Sequence, residues 1–383
     1  MENRNITIPF NKPFLAGKEI DYIKEAVAAG KISGDGDFSK KCQGFFETKY
    51  GFKKALLTTS CTDALEMTSL LCNIAPGDEV ILPSYTFVST SNAFALRGAK
   101  LVFADSMDDI PNIDPGEIEK LITSKTKAIV VVHYGGVACM MDEIVSLAQK
   151  HNIFVIEDAA QAIDSYYKGK PLGSIGDLAA FSFHETKNVI CGEGGMIAVN
   201  RHEMIKRSEI IREKGTNRAA FFRAEVEEYN WVDIGSSFLP SEINAAYLWG
   251  QLEHLSEIQE KRLLLWNTYH DKLKHLEEKG FIKLPLIPGY ATNNAHIFYF
   301  ITRSQSERAE LAEFLKQNNV IAVFHYLSLH RSPYYTKRHG KRKLPNADKY
   351  TDTLLRLPLF FGMNLEMVDL VVLLIEKFYR GKK

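Results

Sequence analysis

The chain has five cysteines, Cys42, Cys61, Cys72, Cys139 and Cys191, odd in number and with no CxxC pair among them. That scatter argues against a disulfide framework and against a zinc site, and suits a reducing compartment. No apolar run approaches the ~20 residues that span a bilayer. The N-terminal stretch MENRNITIPFNKPF lacks the apolar core of a secretory signal. A cytoplasmic protein with no membrane partner is expected. There is no excess of either charge, since Lys+Arg and Asp+Glu stand at 47 each, so nucleic acid is not an expected partner. The one dense basic run, residues 334–343, reads as a solvated loop. Neither an internal repeat nor a low-complexity segment is present. TTSCTDAL, where a nicotinamide-binding fold would want G-x-G-x-x-G, has no glycine at all. HETK, residues 184–187, lacks the second histidine of HExxH, so no metal is expected there.

At 383 residues, two domains are expected. Seven apolar runs end at Ser60, Phe87, Ser106, Gly136, Ala160, His184 and Asn200. Runs without alternation suit strands buried on both faces of a mostly parallel sheet. Helical patterns lie between them, including DALEMTSLLCN, MDEIVSLAQKHN and DPGEIEKLI. The last has Asp114 as N-cap, Pro115 at its first position and Glu117 at its third. This alternation predicts a large α/β domain over residues 1–245. A long helical pattern over 240–280 leads into a smaller α+β domain, 246–383. Within it AHIFYFIT and VIAVFHYL read as strands, and SERAELAEFLKQN and LEMVDLVVLLIEKFY as helices.

In open α/β sheets reactive groups gather at the carboxyl ends of strands, and four such ends are polar here. After Ser60 a helix opens at once, which makes an anion site suited to phosphate or an ordinary N-cap. Phe87 follows a strand and precedes a helix; its ring could stack on a flat cofactor or pack in the core. Asp158 closes a strongly apolar strand, where an unpaired carboxylate is costly and calls for a cationic or hydrogen-bonding partner. Gln161 falls beside it on the next turn. Lys187 stands between a strand end and a glycine-rich loop, where burial would lower its pKa and make it a nucleophile toward an aldehyde. Order and spacing together describe a pyridoxal 5'-phosphate (PLP) site: phosphate at a helix start, ring on an aromatic, pyridinium on an aspartate, aldehyde on a lysine.

EDAAQA, SFHETKN, GEGG and HYGGVACMMDEI resemble the sugar-nucleotide aminotransferases of the DegT/DnrJ/StrS family, over essentially the whole chain. The resemblance implies a PLP-dependent aspartate aminotransferase fold of type I and a homodimer with shared active sites. It implies that Lys187 forms the internal aldimine, Asp158 pairs with the pyridinium, Gln161 reaches the ring hydroxyl and Phe87 stacks on the ring. Cys61, Thr62, Asp63 and Ser182 would lie at the phosphate. Ser237 stands where many members carry an asparagine that reaches the phosphate across the subunit boundary, and marks a subfamily. PSYTFVST, IIREKGTNR, DIGSSFLPS and AVFHYLSLH imply a narrower activity. In it L-glutamate gives its amino group to C4 of dTDP-4-keto-6-deoxy-D-glucose, for a surface glycan such as O-antigen or enterobacterial common antigen. Asp35, Lys214, Asn217, Arg218, His325 and His330 are candidate substrate contacts, each balanced by a structural or solvated reading. A PLP-dependent sugar dehydratase shares most of these motifs, but those relatives carry histidine where this chain has Lys187. A non-catalytic sensor would be expected to lose Lys187 or Asp158.

Overall fold

The structure is a computed structural model that describes residues 7–381. The first six residues of the stretch read above for a leader therefore lie outside the described residues. The central sheet has seven strands: β1 (Lys54–Thr58), β2 (Glu79–Pro83), β3 (Lys100–Ala104), β4 (Thr126–Val132), β5 (Phe154–Asp158), β6 (Leu178–Ser182) and β7 (Gly195–Val199). Their order is β1-β7-β6-β5-β4-β2-β3. Only β7 runs against its neighbours, pairing antiparallel with β1 and β6; the other pairs are parallel. Each expected run forms a strand; Asp158 and Ser182 are the last residues of β5 and β6 and keep their places in the ladder, whereas Ser60, Phe87 and Lys187 lie beyond their strands, at helix starts or in the following loop.

Both faces of the sheet are covered, as the unbroken apolar runs require. Ile81, Val131, Ala179 and Met196 point into one core with Phe46, Phe181 and Leu248. Val80, Val130, Ile156 and Ile197 point into the other with Leu65, Phe94 and Phe103. The helix Pro115–Leu121 starts as its sequence predicts, with the Asp114 carboxylate accepting from the Gly116 amide at 2.8 Å.

Two expectations are corrected. The pattern over 240–280 is two helices, Glu242–Glu253 and Leu255–Glu278, broken at His254 (φ −105°, ψ 14°). Ala245, Leu248, Leu252 and Leu255 pack into the large core, whereas Leu265, Trp266, Tyr269 and Leu273 pack into a separate one. The break lets each segment follow its own core. VIAVFHYL forms no strand; it makes single bridges, Val320 with Ile8 and Val323 with Arg356. Its β-like composition buries residues without a continuous partner edge to pair with.

The smaller sheet is antiparallel, with β8 (Ile282–Lys283), β9 (Phe298–Thr302) and β10 (Leu354–Leu357). The helices Gln305–Gln317 and Leu365–Arg380 cover it. Among the described residues no helix is long and apolar enough to cross a membrane.

Candidate active site

A cavity of about 540 Å³ opens at the carboxyl ends of β1, β2, β5 and β6, and the smaller domain closes it with His296, His325, Tyr326 and Arg356. It gathers Cys61, Thr62, Phe87, Asp158, Gln161, Ser182 and Lys187, which the sequence scatters over more than a hundred positions.

At the cavity floor the helix Cys61–Leu71 begins directly after β1. Ser60 caps it by accepting from the Asp63 amide at 3.1 Å. Among the described residues the amides of Cys61 and Thr62 face no acceptor, so two donors and the positive end of the helix remain for an anion. Gly195 of β7 permits the approach. A Cβ there would stand 2.3 Å from the Ser60 carbonyl carbon and 2.4 Å from the Cys61 nitrogen.

Asp158 is 5% exposed at the end of β5. Thr90 Oγ1 donates to its Oδ2 at 2.7 Å and the Ala160 amide to its Oδ1 at 3.2 Å. Burial pushes the carboxyl above its ordinary pKa, against those two bonds and the charge of Lys187. A carboxylate in that position gains from a cation set against it. Phe87 is 57% exposed, on the cavity wall, so its ring is a platform and not part of the core.

Lys187 sits on a loop held shut by Phe183, Glu185 and Cys191, whose amides donate to the carbonyls of Gly194, Gly192 and Phe183. Among the described residues no acceptor holds its Nζ. Burial lowers its pKa below that of an ordinary lysine, against the pull of Cys61 and Asp158. Gln161 spans the domains: it accepts from the Gly135 amide at 2.7 Å and donates to the Tyr326 hydroxyl at 2.8 Å. His296 and His325 are both pushed well below the usual histidine range by burial. His296 Nδ1 bonds Asn188 at 2.8 Å and His325 Nδ1 bonds the Tyr134 hydroxyl at 2.7 Å.

Several expected residues have other partners. The Asp63 amide is taken by Ser60, and its carboxylate accepts from Thr59 Oγ1, so Asp63 shapes the helix start and does not offer a donor to it. Asp35 pairs with the buried Arg212 at 2.6 Å. His330 is buried outside the cavity, its Nδ1 2.8 Å from Ser84 Oγ. Lys214, Asn217, Arg218 and Ser237 do not line this chain's cavity. Asn217 pins its own loop through Glu228 and Asn230, and Arg218 pairs with Glu213. Conversely, sequence reasoning missed Thr90, Tyr326, His296 and Arg356. Thr90 had a signal, three residues past Phe87 in the first turn of the helix that Phe87 precedes. Arg356 had one also, as the lone charge in LLRLPLFF.

The residues present fit PLP: free amides at a helix start, an exposed ring, a buried carboxylate and an unpartnered amine, all in one cavity. Fold and site together define a PLP-dependent aminotransferase. Residues 13–376 match the DegT/DnrJ/EryC1/StrS aminotransferase family, and the chain belongs to it. It is 33% identical to the spore coat polysaccharide biosynthesis protein SpsC of Bacillus subtilis (strain 168) over 390 residues, covering 100% of this chain and 99% of that protein. The aminotransferase TlmJ of Streptoalloteichus hindustanus superposes with a TM-score of 0.91 at 26% identity, covering 99% and 100% of the two chains. Spr1654 of Streptococcus pneumoniae, solved in a PLP form, shares the fold with a TM-score of 0.89 at 24% identity, covering 97% and 100%.

Proposed function

We propose that the chain moves the amino group of L-glutamate to C4 of dTDP-4-keto-6-deoxy-D-glucose, giving dTDP-4-amino-4,6-dideoxy-D-galactose and 2-oxoglutarate. The observation that carries the aminotransferase part is the unpartnered Lys187 amine in one cavity with the buried Asp158 carboxylate. The choice of a keto sugar draws on the family and on the polysaccharide role in the SpsC name. The particular sugar draws on the sequence resemblance.

Bound PLP supplies an electron sink for the carbon that loses its proton. Cys61 and Thr62 hold its phosphate by their amides, Phe87 supports the ring face and Asp158 holds the proton on the ring nitrogen. Lys187 Nζ, whose pKa burial lowers, takes the α-proton of glutamate and returns a proton to the sugar's C4 in the second half of the cycle. The face of C4 open to Nζ sets the galacto or gluco product. Tyr326 and Gln161 tie the smaller domain to this wall and help exclude water.

The reading includes a cytoplasmic homodimer. Trp231 is 82% and Phe222 72% exposed, with Phe221, Tyr229, Val232 and Ile234 also out of the core. A second copy would cover that segment, and Lys214, Arg218 and Ser237 would then serve the neighbouring site. Sedimentation of the purified protein as a monomer at micromolar concentration would remove this part.

The test of the whole is a spectrum of the protein loaded with PLP, then mixed with L-glutamate, then with the keto sugar. The long-wavelength cofactor band should vanish with glutamate and return with the sugar, with a 4-amino galacto product by NMR. A gluco product corrects the stereochemistry alone. A band that glutamate leaves untouched, with sugar consumed, would favour the dehydratase chemistry.

A further inference from the structure

The residue after Lys187 is an asparagine, 1% exposed, with three side-chain hydrogen bonds to residues far along the chain. Asn188 Nδ2 donates to Gln259 Oε1 at 2.8 Å, on the helix Leu255–Glu278, and to the Asn294 carbonyl at 2.8 Å. Its Oδ1 lies 2.8 Å from His296 Nδ1. Asn294 and His296 lead into β9, so the segment carrying the lysine is fastened to the smaller domain. On the other flank the Glu185 carbonyl accepts from Asn11 Nδ2 at 3.0 Å. The Lys187 backbone is therefore tied on both sides by side chains distant in sequence.

These partners decide where the His296 proton sits. A backbone carbonyl can only accept, so the Asn188 atom facing Asn294 is its amide nitrogen. The Gln259 amide nitrogen turns to the same carbonyl at 3.4 Å, which leaves its oxygen for Asn188. An amide oxygen then faces His296, and an oxygen there requires a proton on Nδ1. Burial pushes His296 well below the usual histidine range, and the charges of Lys187, Arg262 and Arg356 act in the same direction, so the ring is neutral. A neutral ring with its proton on Nδ1 has none on Nε2. His296 lines the cavity, and its Nε2 has no partner among the described residues. At this point the wall offers a hydrogen-bond acceptor and no acidic proton, which leaves proton transfer to Lys187.

We propose that Asn188 is a positioning residue for Lys187, holding the lysine's segment against the smaller domain and keeping His296 in the Nδ1–H tautomer. The part that concerns proton transfer rests on the aminotransferase reading above; the tautomer does not.

The test is a nitrogen NMR spectrum of the PLP-loaded protein made with isotope-labelled histidine, with His296→Gln to assign the signal. Wild type should show His296 with a bare Nε2 throughout ~pH 6–8, the range over which an ordinary histidine loses its proton. Asn188→Asp puts a carboxylate beside Nδ1 and takes the donor away from the Asn294 carbonyl. Its His296 should carry protons on both nitrogens over the lower part of that range. With L-glutamate, the saturated rate at which the cofactor band is lost should fall about 10- to 100-fold, as expected for a misplaced catalytic group, at a nearly unchanged half-saturating concentration. Affinity for pyridoxamine 5'-phosphate, which binds without a bond to Lys187, should stay near wild type and show that the cavity is intact. Asn188→Ser, which loses these bonds without adding a charge, should show the same fall in rate and serves if the Asp variant does not fold. A wild-type Nε2 that carries the proton overturns the proposal whatever the variants do. A wild-type rate in a variant whose cavity is intact overturns the positioning role. An unchanged His296 in the Asp variant overturns Asn188 as the residue that sets the tautomer. If wild type shows the bare Nε2 yet is inert to L-glutamate, the donor of the preceding section falls and the tautomer stands.

Discussion

Thr90 Oγ1 donates to Asp158 Oδ2 at 2.7 Å, from the helix that follows β2 to the end of β5. The same hydroxyl lies 2.9 Å from Thr86 Oγ1, so the carboxylate is oriented by a short chain of hydroxyls. Burial raises the Asp158 pKa and this bond opposes it. Thr90→Val should leave a carboxyl that is harder to ionise and less able to hold a proton on the ring nitrogen. We expect kcat/KM to fall about 10-fold, the cost of one hydrogen bond to a charged group. Thr90→Ser should restore most of it, and equal rates for Val and wild type would show that Ala160 alone suffices.

Gly195→Ala should close the phosphate cradle. The new Cβ meets backbone atoms of Ser60 and Cys61 at 2.3–2.4 Å. The β1–β7 ladder, Thr58 opposite Gly195, leaves little room to yield. The dissociation constant for PLP should rise by about 10-fold or more, as expected when backbone donors to a phosphate are displaced. Fluorescence titration of the apo-protein reads this directly, and unchanged affinity would place the phosphate elsewhere.

Cofactor capture should report the state of the Lys187 amine. Only the neutral amine attacks an aldehyde, and burial lowers the pKa of Lys187. A lowered pKa means the neutral form is reached at a lower pH. The rate of PLP capture by apo-protein should therefore rise with pH and level off below the ~10.4 of an ordinary lysine. Stopped-flow absorbance measures it. A profile still climbing past that value would mean the amine is solvated. Lys187→Ala should show no covalent capture at any pH.

Glu157→Gln should destabilise the fold without touching the cavity. The Glu157 carboxylate is fully buried behind Asp158. It accepts from His133 Nε2 at 2.9 Å and from the amides of Gly173 at 2.7 Å, Ile175 at 2.9 Å and Gly176 at 2.5 Å. An amide side chain would turn its own donors against these. We expect a loss of about 2–4 kcal/mol, read from the urea midpoint; a shift below ~0.5 kcal/mol would mean that the loop 173–176 relaxes freely.

Much of the large domain could be read in advance because its signals are local. Buried strands such as KAIVVV need only their own apolar residues to be recognised, and DPGEIEKLI carries its cap in three residues. The residues that meet in the cavity were legible for a related reason: Ser60, Phe87 and Lys187 follow strands and Asp158 closes one, and parallel strands place all such ends on one edge. VIAVFHYL misled because composition says that residues prefer extended backbone and says nothing about whether a partner edge is available. The break at His254 has no local breaker; it exists because two cores pull on one helical pattern.

The sequence by itself determined the α/β layering and the sheet edge at which Lys187 and Asp158 meet in one cavity, because strand periodicity and turn position act over a few residues. Only the tertiary structure decided which polar groups remain free. Asp63, Asp35 and His330 are spent on Ser60 and Thr59, Arg212 and Ser84, while Arg356 is left without an anion. A hydrogen bond or ion pair is a relation between residues distant in the chain, and its presence or absence is fixed only when the two domains are packed together.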